Sequence, residues 1–322
     1  MDTTKVDSAT FTYLLLYNFA ETNTINMKII ITGSLGNISK PLTQELVQQG
    51  HSVTVISHNP EKQKDIEALG ATAAIGTMED VDFLTKTFNG ADAAYTMIAG
   101  GNFFTPDFDI MAYVRNICNN YAQAIEKAGV KRVVHLSSIG AHLERGTGLI
   151  QMHHQAESIL GVLKEVAITF MRPVGFYYNL NIFIAGIKAN GMMSSNYGED
   201  DIIPWVSPKD IATAIAEEIV NPIVGAKIKY VASEELTCNE VASILGNAIG
   251  KPDLKWALIT DEQLQTRYET IGMNKKIAAG LVEMQANMHN GPFYDDYYLN
   301  KPTLGKTKLS EFAKDFAVAY NA

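Results

Sequence analysis

The sequence predicts an α/β fold, in which a doubly wound parallel sheet with helices on both faces is followed by a smaller C-terminal α/β lobe. Two observations support this fold class. Short apolar runs rich in β-branched residues alternate with amphipathic helical patterns between residues 28 and 176. Glycine-containing turns separate many of these segments, and the regular alternation ends after Phe176. Strands and helices that alternate at this spacing form a parallel sheet with right-handed crossovers.

The first strand and helix enclose a glycine turn. The apolar run at residues 29–31 predicts a buried strand, the turn spans residues 33–39, and the helical pattern that follows ends at Gly50. Glycines let the backbone come close to an anion, and the amides of the first helical turn point toward it. This Rossmann-type turn therefore predicts a site for the pyrophosphate of a dinucleotide, although Ser39 replaces the third glycine of the usual fingerprint. The alternative is a purely structural turn. The predicted pyrophosphate contacts are Gly33, Ser34, Leu35, Gly36, Asn37 and Ile38.

The end of the second predicted strand, residues 53–56, is where such folds contact the adenosine ribose. An acidic residue there favours NAD, whereas a cationic residue accommodates the 2′-phosphate of NADP. Neither Ser57 nor His58 is acidic, and His58 and Lys62 offer cationic or polar partners for a phosphate. We therefore predict NADP as the preferred cofactor and keep NAD as an alternative, with Ser57, His58 and Lys62 as contacts.

Further apolar runs predict the remaining strands of the sheet. They span residues 71–75, 92–98, 132–136 and 166–171, with helices predicted around Leu84 and over residues 109–128 and 149–163. Ligands of doubly wound sheets bind beyond the carboxyl ends of the strands. Met97, Ser137 and Pro173 lie at or just beyond three of these ends. We therefore predict that these three residues line the cofactor crevice.

The pattern loosens in the C-terminal half. It predicts helices over residues 177–190, 208–220 and 238–249, strands over 202–206, 227–231 and 254–259, and a polar candidate lid at 191–201. The two later strands and the helix between them are assigned to the smaller lobe. We predict a core at residues 27–176 and an interleaved substrate lobe at 177–322. The aromatic residues of a loop-like stretch at 290–303 are interpreted as packing groups, with ligand contact as the alternative; they are Phe293, Tyr294, Tyr297 and Tyr298.

Composition limits the classes of partner. The formal net charge of −9 argues against nucleic acid or an anionic membrane as the main partner, and a local basic pocket for a phosphate stays open. A small-molecule substrate is expected from the predicted dinucleotide site. Cys118 and Cys238 are far apart, which predicts buried thiols, no metal site and a reducing cytoplasm. Residues 1–26 contain an apolar run too short to span a bilayer and no signal-peptide pattern, so they are interpreted as a disordered or loosely docked extension. The alternative is a short helix that covers the body or a second subunit; monomer and homodimer both stay open.

Several motifs together resemble a known family. They are the segments at residues 32–36, 57–62, 90–93, 137–138, 154–157, 172–173 and 206–212. In combination they resemble the NmrA-like group of atypical short-chain dehydrogenases, which includes NAD(P)H:quinone oxidoreductases and isoflavone-reductase-like enzymes. The resemblance covers about residues 27–260. It implies a nicotinamide cofactor and a small acceptor, and it leaves the substrate open.

The sequence departs from that resemblance at the catalytic positions. Most short-chain dehydrogenases use a Tyr-x-x-x-Lys pair, in which the lysine lowers the pKa of the tyrosine. When the sequences are aligned on Glu157, Leu149 takes the place of the tyrosine and His153 that of the lysine. Oxidation of an alcohol through a tyrosinate is therefore not expected. A quinone or another conjugated acceptor can take hydride with little help beyond proximity and orientation.

Two residues are candidates for a catalytic role. His153 is predicted to deliver a proton, because histidine titrates near neutrality; the alternative is an inert side chain on an exposed helix face. Ser137 is predicted to hydrogen-bond the nicotinamide amide or a substrate carbonyl, or alternatively to satisfy a backbone group. His154 is interpreted as inert. His135 is interpreted as a satisfied core residue.

The leading hypothesis is a cytoplasmic NAD(P)H-dependent reductase that transfers hydride to a small conjugated carbonyl compound such as a quinone. A non-catalytic redox sensor that binds NAD(P) and a protein partner is the second hypothesis, because the catalytic pair is missing. A sugar-nucleotide epimerase ranks last, because that chemistry normally needs the tyrosine and lysine.

Overall fold

The computed structural model describes residues 26–99, 101, 103–221 and 225–322. Its strands, in chain order, are β1 (Lys28–Ile31), β2 (Ser52–Ser57), β3 (Thr72–Ile75), β4 (Ala93–Met97), β5 (Arg132–Leu136), β6 (Ala167–Pro173), β7 (Gly175–Phe176), β8 (Met193–Ser195), β9 (Ile202–Val206), β10 (Ala226–Val231), β11 (Glu234–Thr237) and β12 (Trp256–Leu258). Its α-helices are α1 (Ser39–Gln48), α2 (Gln63–Ala68), α3 (Val81–Phe88), α4 (Ile110–Ala128), α5 (Gln151–Leu160), α6 (Ile184–Asn190), α7 (Pro208–Val220), α8 (Cys238–Ala248), α9 (Asp261–Thr270), α10 (Lys275–Asn290), α11 (Asp295–Leu299) and α12 (Leu309–Asn321).

A seven-stranded parallel sheet forms the centre of the molecule, in the order β10-β6-β5-β4-β1-β2-β3. The chain builds the sheet outward from β1 through β2 to β3, and then returns to place β4 on the other side of β1. This reversal opens a crevice at the carboxyl ends of β1 and β4, which is the usual ligand position in such sheets.

Helices cover both faces of the sheet, as parallel sheets require. Helices α1 and α7 pack together on one face, and α3, α4 and α5 pack in series on the other. The three consecutive isoleucines of β1 are completely buried. Ile29 and Ile31 join the core of the first face and Ile30 joins the core of the second, because successive side chains of a strand point to opposite faces.

Much of the rest of the chain forms a smaller lobe with two small sheets of its own. Strand β9 lies between β11 and β7, and β8 pairs in parallel with β12. Helix α12 packs on α8, and α10 packs on a 3₁₀ turn, Gly148–Ile150, that precedes α5. Helix α10 therefore brings the smaller lobe against the position predicted for the catalytic residues.

The predicted fold class is confirmed, and both cysteines are buried and free as predicted. Three expectations were wrong. The strand predicted at residues 227–231 pairs with β6 in the main sheet instead of joining the smaller lobe. The predicted lid at 191–201 contains β8, and its residues 193–198 are buried, because β8 is held by pairing with β12. The loop-like stretch at 290–303 contains α11.

The predicted N-terminal extension lies outside the described residues, except for Asn26. Among the helices that the structure describes, none combines the length and the apolar character needed to cross a bilayer.

Candidate functional site

The glycine turn after β1 has the geometry of an anion site. Gly33 has a φ of 88°, and a Cβ at this position would lie 2.8 Å from Ser39 Oγ and 3.0 Å from Met97 Sδ. The Ser39 hydroxyl donates to the Thr32 carbonyl at 2.9 Å. The serine in place of the third glycine therefore ties the start of α1 to the residue after β1. The Gly36 amide donates to the Gly33 carbonyl at 3.2 Å, which curls the backbone into α1.

Three amides of this turn are left for a ligand. Within the described part of the chain, the backbone N–H groups of Leu35, Asn37 and Ile38 donate to no protein group. The turn also stands at the N-terminus of α1, where the unpaired amides and the helix dipole favour a negative charge. Tyr178 lies beside this turn: burial raises its pKa to about 12, and a hydrogen bond with the Asn37 side chain opposes that rise. Sequence reasoning missed Tyr178, because its 3₁₀ helix follows β7 and not β1.

The ribose end of the predicted site is built from hydroxyl groups. Ser34 has a positive φ of 55°, and its hydroxyl donates to Ser57 Oγ at 2.9 Å. The Ser57 hydroxyl in turn accepts from the Asn59 amide at 3.2 Å, and His58 is exposed beside it. Lys62 forms an ion pair with Asp65 at 3.2 Å, and both side chains are exposed. Solvent and salt screen such a pair, so it is weak and Lys62 can exchange its partner.

Met97 lies at the end of β4, next to the end of β1. Its amide donates to Thr32 Oγ1 at 3.0 Å, and its carbonyl accepts from the Tyr121 hydroxyl at 2.9 Å. Its sulfur packs next to Gly33. Met97 therefore lies at the switch point between β1 and β4, and a larger residue at position 33 would displace it.

The Ser137 side chain is paired with a carboxylate of α5. It is buried, and its hydroxyl donates to Glu157 Oε1 at 2.5 Å. Arg172 holds the same carboxylate with two bonds, at 2.9 Å from Nε and 2.6 Å from Nη2. The Ser137 hydroxyl therefore has no hydrogen left for a substrate carbonyl, whereas its oxygen can still accept a hydrogen bond from an amide N–H.

The ion-pair network continues into the smaller lobe. Arg172 Nη1 lies 3.0 Å from Asp296 Oδ2, and the Tyr230 hydroxyl donates to the same oxygen at 2.5 Å. Burial lowers the pKa of Arg172, but Glu157 more than offsets this effect and keeps the guanidinium charged. Arg172 thus joins α5, β6 and α11, and the positions of Pro173 and of the crevice depend on it. Only Arg172 and Glu157 were visible in the sequence, as parts of family motifs.

His153 lies at the predicted catalytic position with a half-buried ring. Burial lowers its pKa to about 4, and Glu157 opposes that effect. At neutral pH the ring is therefore uncharged, so it can offer a neutral N–H but not a ready imidazolium proton. His153 Nδ1 is buried without a hydrogen-bond partner, which leaves Nε2 as the nitrogen available to a ligand. His154, by contrast, has its Nδ1 2.9 Å from the Ala141 carbonyl oxygen.

Leu149, which was aligned with the tyrosine, contacts the smaller lobe. The Leu149 side chain packs against Gly280 of α10, within 3.1–3.2 Å of a Cβ built at that glycine. Gly148 has a φ of 51°, and a Cβ there would lie 1.8 Å from the Gly280 carbonyl oxygen. The two glycines let the turn and the helix touch backbone to backbone.

We expect Gly148→Ala to lower the free energy of unfolding by about 2 to 3 kcal/mol, because α10 must move away from a residue that is also strained. Gly129→Ala is the matched control: its φ is also positive, at 70°, but nothing lies within 4 Å of the added Cβ. Urea denaturation of both variants measures the difference. Equal losses would contradict the close packing of α10.

Two clefts accompany this arrangement. One of about 440 Å³ lies between the start of α4, the Gly148–Ile150 turn and α10, and it is lined by Phe108, Met111, Leu149 and Ile277 among others. A larger one of about 930 Å³ lies at edge strand β10, between α7 and residues 300–306. None of the predicted cofactor contacts lines either cleft. The smaller cleft includes Leu149 and is therefore the better candidate for an acceptor. The predicted packing role fits Phe293, Tyr294 and Tyr297, which are buried, whereas Tyr298 is exposed.

Comparison with known proteins agrees with this architecture. The model of the NmrA-like family matches residues 26–306. A (4-alkanoyl-5-oxo-2,5-dihydrofuran-3-yl)methyl phosphate reductase from Streptomyces griseus is 24% identical over 225 residues, which are 70% of this chain and 74% of that protein.

Two solved structures share the fold. An NADPH-dependent quinone oxidoreductase from Escherichia coli, solved with NADPH, superposes with a TM-score of 0.74 at 21% identity and covers 89% of this chain and 99% of its own. A triphenylmethane reductase from Citrobacter, solved with NADP(H), gives a TM-score of 0.71 at 20% identity, with 90% and 99% coverage.

Proposed function

This chain belongs to the NmrA-like family, and from that premise we propose that it is an NADPH-dependent reductase that transfers hydride to a small conjugated carbonyl compound, a quinone being the best candidate. The observation that carries the proposal is the set of free amides at Leu35, Asn37 and Ile38 in the turn between β1 and α1. The related reductase and the two similar structures, whose names mention reduction or NADP(H), support it.

The chain's own groups suit NADP. The free amides of the turn would hold the pyrophosphate, and Met97 and Pro173 would flank the nicotinamide at the ends of β4 and β6. At the ribose end, Ser57, His58 and Asn59 bring no carboxylate that would repel a 2′-phosphate. Lys62 can leave its exposed partner and approach that phosphate.

The acceptor side explains why no tyrosine is required. The bound dihydronicotinamide supplies the hydride. Hydride addition leaves a negative charge on the quinone oxygen, and a neutral Nε2–H of His153 can stabilise this charge by a hydrogen bond. Solvent then supplies the proton that completes the hydroquinone. The apolar side chains of the cleft next to Leu149 would hold a planar acceptor.

Calorimetric titration with NADPH and NADH tests the cofactor, and loss of dihydronicotinamide absorbance with a panel of quinones tests the reaction. Tighter binding of NADPH and turnover of at least one quinone are expected. Absence of binding to either cofactor would refute the proposal. Binding without any turnover would favour the non-catalytic alternative.

A single methyl group in the turn provides a sharper test. We expect Gly33→Ala to weaken NADPH binding by about 10- to 100-fold, or about 1.4 to 2.7 kcal/mol, because the new Cβ displaces Ser39 and Met97 and with them the amides. Gly50→Ala is the matched control, since Gly50 has the same φ of 88° and open space around its Cβ position. Calorimetry on both variants checks this, and equal affinities would argue against the turn as the pyrophosphate site.

A further inference from the structure

The outer side of strand β10 is unpaired over most of its length. Among the described residues, β10 lies at one end of the main sheet and pairs only with β6. The Val174 N–H donates to the Val231 carbonyl at 3.2 Å, so the odd-numbered residues of β10 turn their backbone groups toward β6. Backbone groups alternate in direction along a strand. The N–H and C=O groups that point outward, and that no described residue bonds, therefore belong to residues 226, 228 and 230.

The cleft of about 930 Å³ follows this open edge. Helix α7 and the segment at residues 300–306 form its two walls. The Gly305 amide donates to the Ala232 carbonyl at 2.8 Å, so the open stretch ends just beyond β10. Ile228, in the middle of the open stretch, is 47% exposed, and Leu304 in the opposite wall is 38% exposed. The cleft thus combines unpaired backbone groups with exposed apolar side chains, which suits one extended segment of chain.

A second copy of the protein does not fit this edge. The edge lies recessed between α7 and the 300–306 segment, and two equally recessed edges cannot meet. In an antiparallel pair of two copies centred on Ile228, Lys227 of each copy would also lie opposite Lys229 of the other, and like charges in this position are unfavourable. Lysines on an edge strand are a common obstacle to pairing between copies. The occupant is therefore a single segment that brings no sheet of its own.

The chain contains a segment of the required kind. Residues 11–19, FTYLLLYNF, lie outside the described part of the chain. They contain no charged residue, no glycine and no proline, and four of the nine are phenylalanine or tyrosine, which favours a strand. Apolar residues at consecutive positions are typical of strands that are covered on both faces. The cleft offers this environment, because it has a wall on each side of the open edge.

The length of the connection also fits. The register places Ile29, Ala93, Arg132 and Ala167 in one row across four strands, and β10 begins one residue beyond that row. A strand outside β10 would lie five strand spacings from β1, or about 24 Å. The ten steps from residue 19 to residue 29 can span about 33 Å. An antiparallel strand ends at the edge where β1 begins, whereas a parallel one would have to return across a face that helices already cover.

We propose that residues 11–19 lie in this cleft as an additional edge strand of the main sheet, antiparallel to β10. The segment would pair with the outward backbone groups of residues 226–230 and cover Ile228 and Leu304. The same contact would close an edge that is otherwise open to pairing with other chains. This inference is independent of the proposed function, and its test involves no cofactor.

Amide hydrogen exchange of the full-length protein, measured at residue resolution by mass spectrometry, tests the pairing. We expect the amides of Ile228 and Tyr230, and alternate amides within residues 13–17, to exchange at least about 100-fold more slowly than unprotected amides. The double variant Leu14→Pro/Leu15→Pro removes both of two adjacent N–H groups, one of which must face β10. It should return the Ile228 and Tyr230 amides to the unprotected rate.

Leu14→Val/Leu15→Val is the matched control, because it keeps both N–H groups and the preference for a strand. It should retain the protection at Ile228 and Tyr230. An unprotected Tyr230 amide in the natural protein, or protection that survives the proline variant, would overturn the proposal. Protection that rises with protein concentration, together with a dimer mass in light scattering, would assign the edge to a second copy and would also overturn it.

A variant on the other partner provides an independent test. Ile228→Pro removes an outward N–H that β6 does not use, and proline is tolerated on an edge strand in this orientation. It should abolish the protection within residues 13–17, whereas Ile228→Val should leave that protection in place. Continued protection of residues 13–17 in Ile228→Pro would show that they pair elsewhere, and the proposal would fail.

Discussion

Replacement of Arg172 by leucine is expected to lower the free energy of unfolding by about 3 to 5 kcal/mol, the usual effect of breaking a buried ion pair from one side. Arg172 is almost completely buried and contacts both Glu157 and Asp296. Without it, the Glu157 carboxylate stays in a mostly buried place with only the Ser137 hydroxyl as a donor. The cost is that of an uncompensated buried charge, which far exceeds the net contribution of the intact pair.

Urea denaturation monitored by circular dichroism measures this loss. Lys62→Ala is the control, because it breaks an exposed ion pair with Asp65 and should change stability by less than about 0.5 kcal/mol. The double variant Arg172→Leu/Glu157→Leu should recover part of the loss, since it leaves one carboxylate fewer without its partner. A loss below about 1 kcal/mol for Arg172→Leu would show that water reaches Glu157 and that the network does not bind α11 to the core.

Acidification is expected to destabilise the protein well before its carboxylates are protonated. Burial holds the pKa of His135 near 3 and that of His153 near 4, whereas both titrate near 6.5 in the unfolded chain. Above about pH 6.5 neither state binds these protons, so the stability is fully present. Below that value the unfolded state binds protons that the folded state does not bind. Each histidine then lowers the free energy of unfolding by about 1.4 kcal/mol per pH unit. The two together amount to roughly 4 kcal/mol at pH 5.

The measurement is the free energy of unfolding as a function of pH between 7 and 5. Burial also lowers the pKa of His51 and His142, so the full slope includes them. Below pH 6, the slope of the free energy of unfolding against pH should be smaller in His135→Phe than in the natural protein. The difference should correspond to about one bound proton, even though the variant is less stable at pH 7. A slope that is the same in both proteins would mean that His135 gains its proton without unfolding.

Local patterns were sufficient for the fold class and for the first part of the site. The apolar runs at β1, β2, β5 and β9 coincide with strands, because a strand that is buried on both faces has apolar residues at consecutive positions. The turn at residues 33–39 was also predictable, since its amides and glycine belong to one short segment. The sequence also predicted Leu149 at the position of the tyrosine, and the structure adds that α10 packs against that residue.

Other expectations failed because they depended on pairing between distant segments. Residues 191–201 are polar and read as a lid, yet β8 within them is covered through its pairing with β12, some sixty residues later in the chain. The strand β10 looks like any other short strand, and only its register with β6 places it in the main sheet. The pairing of Ser137 with Glu157 of α5 likewise depends on two separate elements, and the cofactor contact predicted for Ser137 stays a prediction.

The amino-acid sequence by itself determined a parallel α/β sheet, a glycine turn between its first strand and helix, and a resemblance to the NmrA-like family. The tertiary structure alone decided that Arg172 joins Glu157 to Asp296 and that the buried His135 is paired with Thr96 of the neighbouring strand. The physical reason is the distance along the chain between the residues that interact. Periodicity and turn chemistry act over a few neighbouring residues and are written along the chain, whereas the charge state and the tautomer of a buried group depend on the atoms that other elements bring against it.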